Sequence, residues 1–201
     1  MKPILLATNN AGKVVELRDL LPGITVLTPN DLGITMEVEE TGQTYAENAA
    51  LKAAAFCQAS GLVTLADDSG LEVDALDGAP GLHSARYSPA PGANDADRRA
   101  LLVKNLRPYP RPWKAHFHAT VAVAAPVPGS MPQVQFATGD CFGEVIPEER
   151  GAGGFGYDCI FLMEGMEQTM AEISREVKNT LSHRARAVTA ARPLIEALLG
   201  E

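Results

Sequence analysis

The sequence predicts a globular protein of mixed strands and helices, because short apolar strands and helices follow one another along much of its length. The chain has 201 residues, of which 46% are hydrophobic and 21% are charged. This composition is that of a globular protein with a sizeable core, and it excludes a disordered chain. Two polar segments, each directly after an apolar strand, are the candidate functional elements.

Charge and cysteine content narrow the classes of function. The net charge of -8 argues against a general nucleic-acid-binding protein, which carries a basic patch, but leaves room for a nucleotide ligand. Cys57, Cys141 and Cys159 are odd in number and lack the Cys-x-x-Cys spacing of zinc sites, which favours a reducing, cytoplasmic location. No apolar run approaches transmembrane length, so we expect no membrane partner.

The first half of the chain contains the clearest alternation of strands and helices. Strands are predicted at residues 3–7, 24–27 and 62–65, and helices at residues 13–21 and 44–60. The pattern Thr44-x-x-Glu47 is a capping box that predicts the start of the second helix, and Gly61 predicts its end.

The second half contains longer strands. Strands are predicted at residues 71–76, 115–125, 134–146 and 157–162, with the second and third forming a hairpin, and helices at residues 95–106 and 185–199. Pro193 is expected to kink or break the last helix, and Ser182 is a candidate N-cap for it. His116 and His118 share one strand face, but with no third ligand nearby a half-exposed strand is the better interpretation.

A polar turn at residues 8–13 joins the first strand to the first helix. Such a turn places backbone N–H groups at the positive end of the helix dipole, and Lys13 adds a cation, so the turn could hold phosphate. It lacks the Walker A pattern, since Val14 follows the lysine. An ordinary strand–helix turn explains the same residues.

Asp67 and Asp68 follow the strand at residues 62–65 and precede Ser69 and Gly70. Adjacent carboxylates repel each other, and an all-oxygen cluster suits Mg²⁺ better than Zn²⁺. An acidic turn is the alternative interpretation, because Asp, Ser and Gly are common turn residues.

The segment at residues 151–156 matches Gly-x-Gly-x-x-Gly, but it leads into a predicted strand and not into a helix. This order excludes the dinucleotide-binding loop. Four glycines around Phe155 suggest a loop that presents an aromatic face, and a plain glycine-rich turn is the alternative.

These segments together resemble the inosine/xanthosine triphosphate pyrophosphatases, a family that cleaves non-standard purine nucleoside triphosphates. The matching segments are residues 7–13, 39–42, 47–49, 52, 66–71, 78–81, 84–87, 153–158, 178 and 181–184, in the family's order. Cys159 stands where the family usually has proline, and Asn9 stands where many members have glycine. Neither departure removes a charge, so we expect only local changes in the loops.

The resemblance implies an elongated, two-lobed α/β fold in a single domain over residues 1–201, with a long mixed β-sheet flanked by helices and a central active-site cleft. It also implies a homodimer and a Mg²⁺ cofactor. The triphosphate would bind to Thr8, Asn9, Asn10, Ala11, Gly12, Lys13 and Lys52. Glu39 and Asp68 would hold the metal, with Asp68 also the proton acceptor, and Ser69 would contact substrate. The nucleoside pocket would consist of Phe155, Gly156, Tyr157, Asp158, Lys178, His183 and Arg184.

The expected reaction is hydrolysis of dITP, ITP and XTP to the monophosphate and pyrophosphate, which keeps these nucleotides out of DNA and RNA. Donors from His183 or Arg184 would pair with the 6-keto oxygen and would face the 6-amino group of adenine unpaired, at a cost of roughly 1–3 kcal/mol each. Three other hypotheses remain open at this point: a catalytically silent purine-nucleotide sensor, a nucleic-acid-binding protein, and an enzyme acting on ordinary nucleoside triphosphates.

Overall fold

The computed structural model describes residues 2–200, which divide into two compact units. The first unit comprises the chain up to residue 68, residues 119–139 and the chain from residue 184 onward. The second unit comprises residues 69–118 and 140–183. Three long strands of one sheet contribute residues to both units.

The six strands form a single mixed sheet. They are β1 (Ile4–Leu6), β2 (Val26–Leu27), β3 (Thr64–Val73), β4 (Trp113–Ala125), β5 (Gln133–Val145) and β6 (Phe161–Met163), in the spatial order β2-β1-β3-β4-β5-β6. Strand β1 pairs in parallel with β2 and β3, whereas β5 and β6 are antiparallel. The predicted α/β class with a mixed sheet is confirmed.

Within residues 2–200, four of the five helices begin and end close to their predicted boundaries, and the short helix at residues 175–181 was not predicted as a separate helix. The five helices are α1 (Ala11–Leu20), α2 (Tyr45–Ser60), α3 (Asp95–Leu106), α4 (Arg175–Leu181) and α5 (His183–Leu199). The Thr44 side chain accepts a hydrogen bond from the Glu47 N–H at the start of α2, and Gly61 ends that helix with φ 69°. Within the part of the chain that the structure describes, every helix is too short or too polar to cross a bilayer.

The first unit has helices on both faces of its part of the sheet. Ile4 and Leu6 of β1 pack in one buried cluster with Leu17 of α1 and Val188 of α5. The alternate residue Leu5 packs in a second cluster with the small side chains of α2. This separation follows from the two-residue period of a strand, which points successive side chains to opposite faces.

The core of the second unit packs α3 against its parts of β3, β4, β5 and β6. Leu102 and Leu106 of α3 are fully buried in a cluster with Leu71, Phe117 and Phe161. This cluster also contains Tyr157 and Ile160. Tyr157 directly follows the glycine-rich loop at residues 151–156 and anchors its C-terminal end in the core.

Three local predictions differ from the structure. The predicted strands at residues 62–65 and 71–76 and the acidic turn between them are largely one strand, β3, which runs straight through both aspartates. Residues 158–160 form a short 3₁₀ helix, and only the residues after them form strand. Helix α5 continues past Pro193 without a break.

Candidate active site

The turn between β1 and α1 is exposed and leads directly into the capped N-terminus of α1. Asn10 is the N-cap of α1, and its side-chain oxygen accepts a hydrogen bond from the Lys13 N–H at 3.1 Å. Thr8 Oγ1 accepts from the Asn10 N–H at 3.1 Å. These bonds fix the turn, which presents the positive end of the helix dipole to solvent.

Lys13 and Lys52 converge on a single backbone oxygen of β3. The Nζ atoms of both lysines lie 3.2 Å from the carbonyl oxygen of Asp67. Their side chains are 18% and 13% exposed, so each ammonium is largely withdrawn from water but still accessible. Burial lowers the pKa of Lys13, with further lowering from Arg184 and Lys52 and opposition from Asp67. Each ammonium is also paired with a carboxylate, so an anion bound here would share the two cations with Asp67, Asp68 and Glu40.

The Asp67 carboxylate is the centre of a buried ion network. Its Oδ2 atom lies 2.8 Å from Lys13 Nζ and accepts hydrogen bonds from Arg184 Nε and Nη2 at 3.2 and 3.1 Å. Arg184 Nη1 donates to Glu16 Oε2 at 2.5 Å. Burial acts to lower the pKa of Arg184, but Asp67 and Glu16 outweigh it and raise that pKa overall. The network joins α1, β3 and the start of α5.

Asp68 faces a different partner because successive residues of a strand point to opposite faces. Its Oδ1 atom accepts a hydrogen bond from Lys52 Nζ at 3.0 Å, and the same nitrogen donates to Glu40 Oε1 at 2.9 Å. Burial raises the pKa of the Asp68 carboxyl, with Lys52 opposing the rise. Burial acts to lower the pKa of Lys52, but Asp68 and Glu40 outweigh it and raise that pKa overall. Asp68 is therefore a stronger base than an exposed carboxylate.

Glu40, and not Glu39, is the acid that the structure brings to Lys52. Glu39 is exposed. The adjoining Gly42 fixes this segment, because its N–H donates to the buried Asn48 Oδ1 at 2.8 Å. A Cβ on Gly42 would lie 2.6 Å from Glu47 Cβ, so only glycine fits this close approach to α2. The sequence contains Glu40 beside Glu39 but no signal that distinguishes the two.

The carboxylates around Lys52 fit a hard divalent cation. Asp68 and Glu40 both present oxygen to one point, where the ammonium of Lys52 stands as a cation. Among residues 2–200, no group of three or more His, Cys, Asp or Glu side chains is arranged to hold a metal. Mg²⁺ typically uses one or two carboxylates and completes its shell with water and substrate phosphates, so two acids are sufficient.

In the second unit, the glycine-rich loop carries Phe155 in a closely bonded backbone. The Phe155 N–H donates to Asp158 Oδ2 at 2.8 Å, and the same oxygen accepts from Lys178 Nζ at 2.6 Å. Lys178 Nζ also lies 5.4 Å from the centre of the Phe155 ring. A Cβ on Gly154 would lie 1.9 Å from Asp158 Oδ2, so this glycine allows the carboxylate to reach the loop.

The remaining predicted residues have mixed environments. His183 is 4% exposed and its ring stacks on Phe117, with centroids 4.7 Å apart. Tyr157 is buried and its hydroxyl donates to the Ser84 carbonyl at 2.9 Å. Ser69 is half-buried on β3. The predicted contacts of these side chains with substrate stay predictions, as does the contact of Arg184.

Sequence reasoning did not assign roles to Glu16, Asp67 and Glu40, which the structure places in ion pairs with the predicted lysines or with Arg184. Glu16 lies three residues after Lys13 on α1, between the buried residues Val14 and Leu17. A carboxylate in this position indicates a buried cation partner, but nothing in the sequence identifies Arg184, 168 residues away.

Comparison with known proteins identifies the family of the chain. The Ham1 family model matches residues 4–194. The chain is 46% identical to a dITP/XTP pyrophosphatase from Geobacillus kaustophilus over 94% of this chain and 92% of that protein. It is 42% identical to one from Desulforamulus reducens over 97% and 96% of the two chains.

Solved structures give the same result. A HAM1 protein from Coxiella burnetii superimposes with a TM-score of 0.83, at 35% identity and with both chains fully covered. The Ham1 protein of Staphylococcus aureus gives a TM-score of 0.82 at 34% identity, covering 98% of this chain and 99% of that one. The chain belongs to the Ham1 family.

Proposed function

We propose that this protein hydrolyses the non-standard purine nucleoside triphosphates dITP, ITP and XTP to the monophosphate and pyrophosphate. The observation that carries the proposal is the convergence of Lys13 and Lys52 on one carbonyl oxygen, with Asp68 bound to the second lysine. The names of the relatives, dITP/XTP pyrophosphatases, support the substrate class.

In this proposal the triphosphate binds to the first unit. The turn at residues 8–13 supplies backbone N–H groups and the helix dipole, and the two lysines supply positive charge. Phosphate groups would bind the accessible part of the two ammonium groups, which keep their contacts with Asp67 and Asp68. Because charge neutralisation and alignment are the main requirements of phosphoryl transfer, these residues provide much of the catalysis.

Asp68 is the proposed proton acceptor. A water molecule attacks the α-phosphorus and loses a proton to the Asp68 carboxylate, while the bond from the α-phosphorus to the bridging oxygen breaks and pyrophosphate leaves. The raised pKa of this buried carboxyl makes it a better base, and Lys52 holds it in place at 3.0 Å.

We propose Mg²⁺ as the cofactor, held by Asp68 with Glu40 or with Glu39, the residue that the resemblance implies. Glu40 has the better geometry, because it shares Lys52 with Asp68. When bound, the ion would neutralise charge on the triphosphate and lower the pKa of a coordinated water.

The base would bind to the second unit. Phe155 supplies a half-buried aromatic face for stacking, which adds affinity but little base selectivity. Selection of 6-keto purines over 6-amino purines requires a hydrogen-bond donor near the base. Lys178 is a candidate for this donor, in addition to the predicted His183 and Arg184. Its ammonium lies beside the Phe155 ring and is held by Asp158.

We also propose a homodimer in the cytoplasm. The dimer rests on the resemblance alone. The location is supported by Cys57, Cys141 and Cys159, none of which forms a disulfide within residues 2–200, since reduced cysteines persist in a reducing compartment.

The test is pyrophosphate release from ITP, XTP, dITP, ATP and GTP, with Mg²⁺ and with chelator. We expect cleavage of ITP, XTP and dITP only, loss of activity in chelator, and an inactive Asp68→Asn variant. Equal cleavage of all five nucleotides would refute the keto-purine specificity and favour an enzyme for ordinary triphosphates. Binding of ITP without cleavage would favour a nucleotide sensor.

A further inference from the structure

Helix α3 contacts the loop that carries Phe155. The N–H of Gly156 donates to Asp95 Oδ2 at 2.9 Å, and the carbonyl oxygen of Gly156 accepts from Arg99 Nη1 at 2.8 Å. Both backbone polar groups of the residue after Phe155 are therefore bound by side chains of one helix. Asp95 and Arg99 can act together because residues four apart lie on the same face of a helix.

These two side chains are themselves fixed. Arg99 makes a two-point ion pair with Glu149, with Nε to Oε1 at 2.8 Å and Nη2 to Oε2 at 3.1 Å. Asp95 is paired with Arg98, which in turn donates from Nη2 to the Ala93 carbonyl at 2.9 Å. Asp95 and Arg99 therefore each have a second partner that restrains the side chain bound to Gly156.

The loop needs such a support because its glycines do not fix its shape. Gly154 and Gly156 have φ 71° and 62°, in the left-handed region that glycine adopts without strain. Glycine also loses more conformational freedom on ordering than any other residue. Asp158 fixes the backbone on the N-terminal side of Phe155, and Asp95 with Arg99 fixes it on the C-terminal side.

We propose that Asp95 and Arg99 are positioning residues that hold Phe155 in the orientation needed for stacking on the purine base. Neither residue belongs to the motifs that carry the family resemblance. The inference rests on the proposed function, because it requires a purine ligand at Phe155. Without these two residues, the loop would have to become ordered when the ligand binds, and the free-energy cost of this ordering would lower the affinity for the ligand. The reaction at Asp68 would not change.

The test compares Arg99→Met and Asp95→Asn with Lys104→Met, a matched control on the exposed side of the same helix. We expect each positioning variant to raise KM for ITP about three- to tenfold with kcat within about twofold, and the control to match the wild type. Hydrogen exchange at the Gly156 amide should accelerate in both positioning variants and not in the control. Arg99→Lys, which keeps one donor, should restore part of the affinity.

A double-mutant cycle separates positioning of Phe155 from a general structural effect. In a Phe155→Ala background, Arg99→Met should no longer change KM, because the residue that it positions is gone. Full additivity of the two substitutions would overturn the inference, as would variants with wild-type KM in an active enzyme. A wild-type protein that neither binds nor cleaves any purine triphosphate would overturn the proposed function and the inference together.

Discussion

The substitution Asp67→Asn tests the claim that one buried carboxylate balances the charges of the first unit. Four ionised groups form the network: Lys13 and Arg184 carry positive charge, and Asp67 and Glu16 carry negative charge. The side chains of Asp67 and Arg184 are 0% and 2% exposed. Asparagine has nearly the same shape but no charge, so the substitution leaves two largely buried cations with one carboxylate.

The expected cost follows from this imbalance. Removing one partner of a buried ion pair costs about 3–5 kcal/mol, because the remaining charge is uncompensated. Asparagine keeps one oxygen that can accept from Arg184, so we expect a value near the lower limit, about 3 kcal/mol. For a protein of this size that corresponds to a decrease in Tm of about 6–12 °C.

Urea unfolding of the two proteins measures the difference in the free energy of unfolding directly. The matched control is Glu196→Gln, which breaks a half-exposed pair with Arg192 on α5, 2.6 Å long with side chains about a third exposed. Exposed pairs contribute about 0–1 kcal/mol. If Asp67→Asn destabilises the protein no more than this control, the charge-balance argument is wrong.

Three further predictions concern activity. Asp68→Asn should lower kcat by about 10²–10⁴-fold, and a smaller effect in steady-state kinetics would remove its role as proton acceptor. The alkaline decline of kcat/KM should lie below pH 10.5, the ordinary pKa of lysine, because burial lowers the pKa of Lys13 and its positive charge is lost as pH rises. Lys13→Arg should move that decline to higher pH, since arginine stays protonated, and a pH–rate profile that does not move would contradict this. Phe155→Ala should raise KM roughly tenfold or more, because base stacking on an aromatic ring contributes about 1–3 kcal/mol. A Phe155→Leu variant with wild-type KM would show that only apolar area matters at this position.

Local sequence signals were sufficient for many of the elements. The cap at Thr44 and the stop at Gly61 define α2 to the residue, and α3 has its predicted boundaries at Asp95 and Leu106. These signals depend on hydrogen bonds between residues only a few positions apart, so they can be recognised from the sequence alone. Strand β3 was predicted less well, because two acidic residues and a glycine are ordinary turn residues unless distant cations neutralise them.

The sequence was sufficient to predict several residues of the site but not to predict which of them form ion pairs with one another. Lys13, Lys52 and Asp68 are identified by the motifs, whereas the contacts of Arg184 with Asp67 and Glu16 span 117 and 168 residues of sequence. The choice between Glu39 and Glu40 could not be predicted either. Their segment is irregular, so no helix or strand period says in which direction each side chain points. Tertiary packing decides which of them reaches Lys52.

Because side chains alternate along β3, the neighbouring residues Asp67 and Asp68 point to opposite faces of the strand and have different partners. Asp67 faces the buried cations that hold the first unit together, and Asp68 faces the lysine of the proposed reaction. A shift of β3 by one residue would move one of these carboxylates into the position of the other and would place Ala66 or Ser69 in the second position. We therefore expect an insertion or deletion that shifts β3 against its neighbours to lower both the stability and the proposed activity.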